Sequence, residues 1–207
     1  MILIDTAGPT VAVAAFAGGE CVWSGANTIV AGADGWLTPA LAVALGCLGG
    51  LDCVAVVVGP GAFTGLRVGV AQALGLAFAR GVPLRAVPSL ALRAAASGES
   101  ANTLAVIDAR KGRLYVQRFR VAGGLPEAEA PAEDLPPEGA SALAAAGAVV
   151  LGEGAHLVPL PAGATVPVLP PDAFVRAGWH LCASLPDVEA SELAPFYLRE
   201  PDARPSS

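Results

Sequence analysis

The most regular pattern of apolar and polar positions lies at residues 53–83, where a short apolar run, a glycine break and a long apolar segment follow one another. Residues 54–58 are almost all valine, which is typical of a strand buried on both faces. Gly-Pro-Gly at 59–61 ends this run, and Gly81 can terminate a helix over 63–80. The pattern therefore predicts a strand, a glycine loop and a helix whose first N–H groups favour an anion.

The predicted helix contains three glycines, each of which destabilises a helix interior by about 1 kcal/mol relative to alanine. Gly65, Gly69 and Ala73 are four residues apart and form a smooth stripe, whereas Gly75 lies outside it. The stripe allows close approach of either the chain's own sheet or a helix of another subunit, and the spacing leaves both open. Arg67 is a cation in the first turn, where the helix dipole disfavours it. We expect its side chain to reach water rather than an anion or a carboxylate.

The remaining elements follow from apolar alternation and turn residues, with Asp34, Ser89 and Ser141 expected as helix N-caps. In the first half we predict strands at 1–6, 11–16, 21–24 and 84–87 and helices at 34–48 and 89–96. In the second half we predict a surface loop at 126–138, helices at 141–146 and 172–185, and a strand at 194–200. A linker at 97–103 divides the chain into domains 1–100 and 101–207, and the C-terminal segment is expected to pack back on the first domain.

The first half of the chain is repeated in the second. Residues 2–16 align with 105–119 at an offset of 103, and 57–61 resembles 150–154. The matched pairs are Ile4 with Ile107, Asp5 with Asp108, Val13 with Val116, Phe16 with Phe119, Gly59 with Gly152, and Gly61 with Gly154. Two matched units in the same order predict a duplicated α/β fold.

Two half-copies that each begin with strand, aspartate, turn and strand suggest a cleft in which Asp5 and Asp108 face each other. The alternative is that both acids only cap the turns that follow them. ATP binding is not favoured, because Thr6 is the single hydroxyl of the first hairpin and the second hairpin has no glycine run.

The amino-acid composition indicates that a binding partner covers part of the surface. Of the 207 residues 54% are hydrophobic and 14% are charged, so part of an apolar surface is expected to be covered. The net charge of −6 disfavours nucleic-acid binding by the chain alone. Four cysteines without a CxxC pair, and a start without a basic segment, favour a cytoplasmic protein with reduced thiols.

Few residues are candidates for catalysis, metal binding or RNA binding. His156 and His180 are the two histidines and are far apart in sequence, so no metal motif is present, and there is no GxSxG motif. Five cations lie within eleven residues and form either a solvated hairpin face or a contact with RNA phosphates. They are Arg110, Lys111, Arg113, Arg118 and Arg120.

Three segments carry a family resemblance: GPGAFTGLRVGVAQALGLA at 59–77, VIDARKGRLYVQRF at 106–119 and LAPFYLRE at 193–200. Together with ILIDTA near the N-terminus they resemble the TsaB (YeaZ) family, the dimerisation subunits of the bacterial tRNA threonylcarbamoyladenosine machinery. The resemblance spans nearly the whole chain, although Ala62 replaces the serine that is usual in the first motif.

The resemblance implies a duplicated two-domain α/β fold of the actin and Hsp70 (ribonuclease H-like) class. It implies a non-catalytic subunit that supports modification of adenosine 37 in tRNAs reading ANN codons. The expected partners are the catalytic paralogue TsaD and the ATPase TsaE, with a homodimer when the chain is alone and tRNA reached only through the complex. No metal or cofactor of its own and no membrane are expected, with ATP or ADP at the partner interface. The alternative is a peptidase of the glycoprotease type or an ATP-dependent small-molecule kinase.

The resemblance also assigns residues. It places helices 34–48 and 63–80 at the subunit interface, which favours a partner helix as the neighbour of the glycine stripe. The expected interface residues are Phe63, Gly65, Leu66, Gly69, Val70 and Ala73. The expected degenerate nucleotide or anion loops comprise Asp5, Thr6, Gly59, Gly61, Arg67, Asp108 and Arg110. Lys111 and Arg113 are the expected tRNA contacts.

Overall fold

The computed structural model describes residues 1–28, 34–98, 100–144 and 147–199. The first sheet has the order β3-β2-β1-β4-β5. Its strands are β1 (Ile2–Asp5), β2 (Thr10–Ala17), β3 (Glu20–Thr28), β4 (Val54–Gly59) and β5 (Leu84–Pro88). The helices of this half are α1 (Asp34–Gly46), α2 (Phe63–Arg80) and α3 (Ser89–Ala95).

The second sheet has the order β10-β6-β7-β8, with β9 also paired to β7. Its strands are β6 (Ser100–Arg110), β7 (Arg113–Ala122), β8 (Leu125–Ala128), β9 (Glu133–Leu135) and β10 (Val149–Leu151). The helices of this half are α4 (Pro137–Leu143), α5 (Ala173–Arg176) and α6 (Trp179–Ser184).

The two sheets share one topology. In the first, β1 is antiparallel to β2 and parallel to β4, and β3 extends the antiparallel edge. In the second, β6 is antiparallel to β7 and parallel to β10, and β8 extends the antiparallel edge. Strand β5 has no counterpart in the described part of the second sheet. The predicted duplication and the α/β class are therefore confirmed.

The residue pairing at an offset of 103 holds on β2 and β7, where Phe16 and Phe119 both lie in the core between the sheets, but it is out of phase on β1 and β6. Leu3 and Ile107 both point into the core shared by the two sheets, whereas Ile4 belongs to a separate core. Because side chains alternate along a strand, an odd error in register between β1 and β6 moves their matched residues to opposite faces. Ile4 and Ile107 are thus alike in sequence but do not occupy equivalent sites.

Three apolar cores hold the fold together. The central core lies between the sheets and includes Leu3, Ile107 and the buried face of α3. A second core lies under α1 and α2, and a third lies under α4. No helix in the described part of the chain has the length and apolar character needed to cross a membrane.

Several predicted boundaries need correction. The linker at 97–103 overlaps β6, which begins at Ser100, and the loop at 126–138 contains β9. The predicted helix at 172–185 is divided near Gly178, and this glycine packs against Leu3 and Leu92, where a side chain would clash. The segment at 193–199 is extended but forms no strand.

The predicted serine caps are also wrong. Ser89 is the first residue of α3 rather than its N-cap, and its hydroxyl donates to the Pro60 carbonyl at 2.5 Å. Ser141 lies within α4 and donates to the Pro159 carbonyl. The side chain of Asp34 lies outside the described residues.

Candidate functional site

A cleft of about 320 Å³ lies where the first hairpin of each sheet meets the N-terminus of α2. Gly61, Asp108 and Arg110 line it, as expected for loops that converge in a duplicated fold. Asp5, Thr6, Gly59 and Arg67 are not among its lining residues. The described lining comprises residues 7–9, 61–63, 108–111, Tyr115 and 197–199.

The two aspartates of the repeat cap their turns. The Ala7 N–H donates to Asp5 Oδ1 at 2.9 Å, and the Arg110 N–H donates to Asp108 Oδ1 at 2.8 Å. Each carboxylate thus accepts a hydrogen bond from the N–H two residues later, so both acids cap their turns, but Asp5 also binds Arg93. The expectation that both carboxylates face one cleft is wrong, because Asp5 is buried away from it.

Asp5 belongs instead to a buried ion triad with Arg93 and Glu153. The Arg93 guanidinium is fully buried and lies 2.7 Å from Asp5 Oδ2. It also donates to both oxygens of Glu153, at 2.6 Å and 3.2 Å. Glu153 follows β10 and Asp5 ends β1, so Arg93 of α3 joins the two sheets at this point.

Burial and charge determine the protonation of the triad. Burial raises the pKa of Asp5, and the neighbouring Glu153 adds to this against the opposing effect of Arg93. Burial also acts to raise the pKa of Glu153, but the charge and hydrogen bonds of Arg93 outweigh it and lower that pKa. Arg93 contacts Glu153 with two nitrogens and Asp5 with one.

The fold class implies a site for a metal-bound nucleotide. The triad matters here because it takes the Asp5 carboxylate away from the cleft. Magnesium nucleotides are held through one or two carboxylates together with the phosphates. The first hairpin contributes no carboxylate to the cleft, because Asp5 is turned toward Arg93. Among the described residues no group of three or more His, Cys, Asp or Glu is arranged to hold a metal ion. Asp108 is thus the one carboxylate among the described residues that line the cleft, and its Oδ1 already accepts the Arg110 N–H.

The glycine stripe of α2 packs on the chain's own first strand. A Cβ at Gly65 would collide with the Thr6 carbonyl, and one at Gly69 would collide with the Thr6 hydroxyl. Ala73 is fully buried in the same direction. The expectation that a partner helix covers the stripe is therefore wrong. The same correction applies to Leu66 and Val70, which are buried in the chain's own cores.

The opposite side of α2 faces outward and forms a groove of about 470 Å³ with α1. Gly75 lies there, and a Cβ added to it would meet no atom within 4 Å. None of the described residues lining the groove is charged. They are Thr38, Leu41, Ala42, Leu45, Ala71, Gln72, Gly75 and Leu76.

Known proteins with this architecture identify the family. A sequence model of the TsaD family, described as tRNA N6-adenosine threonylcarbamoyltransferase, matches residues 36–204. The structure of YeaZ from Pseudomonas aeruginosa is similar with a TM-score of 0.76 and 26% identity, covering 95% of this chain and 98% of that one.

Proteins related in sequence point to the same family. A protein of Mycobacterium leprae is 37% identical over 99% of this chain, which spans 56% of that protein's length. TsaB of Bacillus subtilis, named as a tRNA threonylcarbamoyladenosine biosynthesis protein, is 34% identical over 41% of this chain and 38% of its own length. The chain belongs to the TsaB (YeaZ) family. Its fold is accordingly of the actin-like class.

In this TsaB-family chain the C-terminal segment closes one side of the cleft. The Phe63 and Tyr197 rings are 4.8 Å apart, and the Arg67 guanidinium lies 4.0 Å above the Phe63 ring. Arg67 also donates to the Tyr197 hydroxyl at 3.3 Å. Arg67 is exposed, as expected, but it also lies over the Phe63 ring and binds the Tyr197 hydroxyl.

The same segment contacts both sheets. The Phe196 N–H donates to the Val58 carbonyl at 2.7 Å, and Arg199 donates to the Ala109 carbonyl at 3.0 Å. Residues 196–199 therefore run from β4 of the first sheet to β6 of the second. We call them the C-terminal strap.

Three arginines of the basic patch pair with carboxylates, among them Arg110 with Asp108 at 3.6 Å. Arg113 Nε lies 2.9 Å from Asp134, and Arg120 lies 3.3 Å from Glu129. Arg113 thus ties β7 to β9 while 40% of its side chain stays exposed, and its role as a tRNA contact stays a prediction. Lys111 lies on the hairpin turn that lines the cleft.

Sequence reasoning missed three residues of this region, namely Arg93, Glu153 and Tyr197. Arg93 is the only charge in the apolar segment SLALRAAA, and Glu153 stands between two glycines of the repeated loop. A lone charge in a predicted buried element is a signal for a buried ion pair. Tyr197 had no signal beyond its place in the C-terminal motif.

Proposed function

We propose that this chain is a non-catalytic assembly subunit in the biosynthesis of tRNA threonylcarbamoyladenosine. The proposal follows the names of its relatives, two of which are called TsaB and are described as biosynthesis proteins for this nucleoside. The proposed partner is the TsaD threonylcarbamoyltransferase, with TsaE joining the pair and a homodimer forming when the chain is alone.

The observation that carries this proposal is the uncharged groove between α1 and α2. Monomeric proteins rarely expose large continuous apolar surfaces, so such a face marks an interaction site. Ala71 and Gly75 let another helix come close, because neither projects a long side chain. Val43 of α1 is 51% exposed on the same helix pair, so it can add contact area at the rim.

The composition of the cleft favours a structural role in the complex over a catalytic one. Its first hairpin carboxylate is neutralised by Arg93, and the C-terminal strap lines one side. We propose that the transferase chemistry lies in the partner and that any ATP or ADP binds at the interface of the two subunits. With a net charge of −6 the chain is proposed to meet tRNA only through the complex.

The test is co-expression with TsaD of the same organism, followed by co-purification and measurement of stoichiometry by light scattering. Ala71→Arg places a charge in the groove and is expected to abolish pairing. Ala79→Arg is the matched control, because Ala79 is exposed on α2 outside the groove. Pairing by the wild type and the control but not by Ala71→Arg supports the proposal.

Two results would oppose it. If wild type and TsaD remain separate at micromolar concentration, the assembly role is lost. If the pure chain alone hydrolyses peptide bonds or phosphorylates a small molecule with ATP, it is an enzyme of the alternative classes.

A further inference from the structure

A second groove, of about 550 Å³, lies on the other side of α2 at its C-terminal end. Its floor is apolar and is formed by Leu74, Ala77, Val82 and Val188. Phe78 stands at its edge with 92% of its surface exposed, so a large aromatic side chain is available for contact. We call this the α2 C-terminal groove. It shares no lining residue with the groove between α1 and α2.

Three carboxylates line the α2 C-terminal groove: Asp187, Glu189 and Glu192. Glu189 and Glu192 are exposed, and Asp187 is 53% exposed while it binds Arg85 at 2.9 Å. No Arg, Lys or His is found among the described residues that line it. The carbonyl end of α2 adds partial negative charge, which Arg80 in the last turn only partly opposes.

The backbone holds these carboxylates in place. The Val188 N–H donates to the Leu84 carbonyl at 2.8 Å, which attaches the segment to the edge strand β5. The Leu193 N–H donates to the Glu189 carbonyl at 3.1 Å, and the Leu193 side chain is 6% exposed in the core under α1 and α2. The acidic rim is therefore anchored at both ends, and little ordering is needed when a ligand binds.

We propose that the α2 C-terminal groove binds a cationic segment of another protein that carries a large apolar side chain. The apolar side chain packs on Phe78 and Val82, and its flanking Lys or Arg residues face Glu189 and Glu192. Charge complementarity selects this occupant, because a neutral or acidic segment would leave the carboxylates unpaired. The inference is independent of the pairing proposed for the groove between α1 and α2.

The test uses a display library of random peptides about 12 residues long, selected on the intact chain. The library is first depleted on a variant combining Phe78→Ala, Glu189→Gln and Glu192→Gln. The expected selected peptides contain at least two Lys or Arg beside an aliphatic or aromatic residue. Their binding is then measured by fluorescence anisotropy at low and physiological salt, where screening should weaken it.

Glu189→Gln with Glu192→Gln is expected to raise the dissociation constant about tenfold, and Phe78→Ala by a similar factor. Glu127→Gln with Glu138→Gln is the matched control, since it removes two exposed carboxylates elsewhere and should leave affinity unchanged. Melting temperatures confirm that all variants are folded.

Three outcomes would overturn the proposal. The first is a selection that yields no binding peptide, or only peptides without cations. The second is a control variant that weakens binding as much as the groove variant, which would indicate attraction to the net charge alone. The third is a change of self-association in sedimentation with no change of peptide affinity in the groove variants, which would make this surface a contact between copies of the chain.

Discussion

Arg93 and Asp5 form a fully buried ion pair, with a guanidinium nitrogen 2.7 Å from a carboxylate oxygen. Arg93 shares its remaining donors with Glu153 of the second half. One cation thus serves two carboxyl groups at the junction of the two sheets. Burial of such a group is tolerated only when every partner is in place.

Replacement of Arg93 tests this arrangement. Arg93→Met keeps much of the side-chain volume but leaves two carboxylates buried without a cation. Breaking a buried pair in this way costs about 3–5 kcal/mol in the free energy of unfolding. Urea denaturation followed by circular dichroism measures the change. Arg118→Met on the exposed face of β7 is the control and should stay within about 0.5 kcal/mol. A loss below about 1 kcal/mol for Arg93→Met would contradict the prediction.

The lowered pKa of Glu153 predicts a pH dependence. A carboxyl whose pKa is lower in the folded than in the unfolded chain stabilises the fold above the unfolded pKa. That stabilisation is lost as the pH falls through the lower, folded pKa. Glu153→Gln removes it, so the stability difference from wild type should be largest at neutral pH and shrink below about pH 4.

Urea midpoints from pH 7 down to pH 3 measure this difference, with Glu127→Gln on the exposed strand β8 as the control. A difference that stays constant with pH, or that grows toward acid, would show that Glu153 acts through packing rather than through charge.

Two glycines of α2 are predicted to respond in opposite ways to the same substitution. A Cβ at Gly69 collides with Thr6, the residue that follows β1, so Gly69→Ala should destabilise the fold by about 1–3 kcal/mol. A Cβ at Gly75 meets open space, so Gly75→Ala should stabilise the monomer by about 0.5–1 kcal/mol. Thermal and urea unfolding of both variants measure the contrast. Equal effects would mean that the stripe does not lie on β1.

The sequence predicted the order of strands and the repeat because β-branched runs, glycine loops and helix ends are local signals. It did not reveal which neighbour the stripe of Gly65 and Gly69 meets, because spacing shows smoothness and not the identity of the partner. It also placed Asp5 and Asp108 in one cleft, since an alignment of residues does not report a change of strand face. The triad was missed because Asp5, Arg93 and Glu153 are far apart in the chain and meet only through tertiary packing.

The last prediction concerns Tyr197 in the C-terminal strap. Its ring packs on Phe63 at 4.8 Å, and its hydroxyl accepts a hydrogen bond from Arg67 at 3.3 Å. Tyr197→Phe keeps the ring pair and loses only an exposed hydrogen bond, so it should cost less than about 0.5 kcal/mol. Tyr197→Ala loses the ring pair as well and should cost about 1–2 kcal/mol. Because the strap then detaches more often, trypsin should cut after Arg199 several times faster in Tyr197→Ala than in Tyr197→Phe.

Mass spectrometry of timed digests measures the rate of cleavage at this one bond in each variant. Equal rates in the two variants would show that the backbone contacts of Phe196 and Arg199 hold the strap without the aromatic ring.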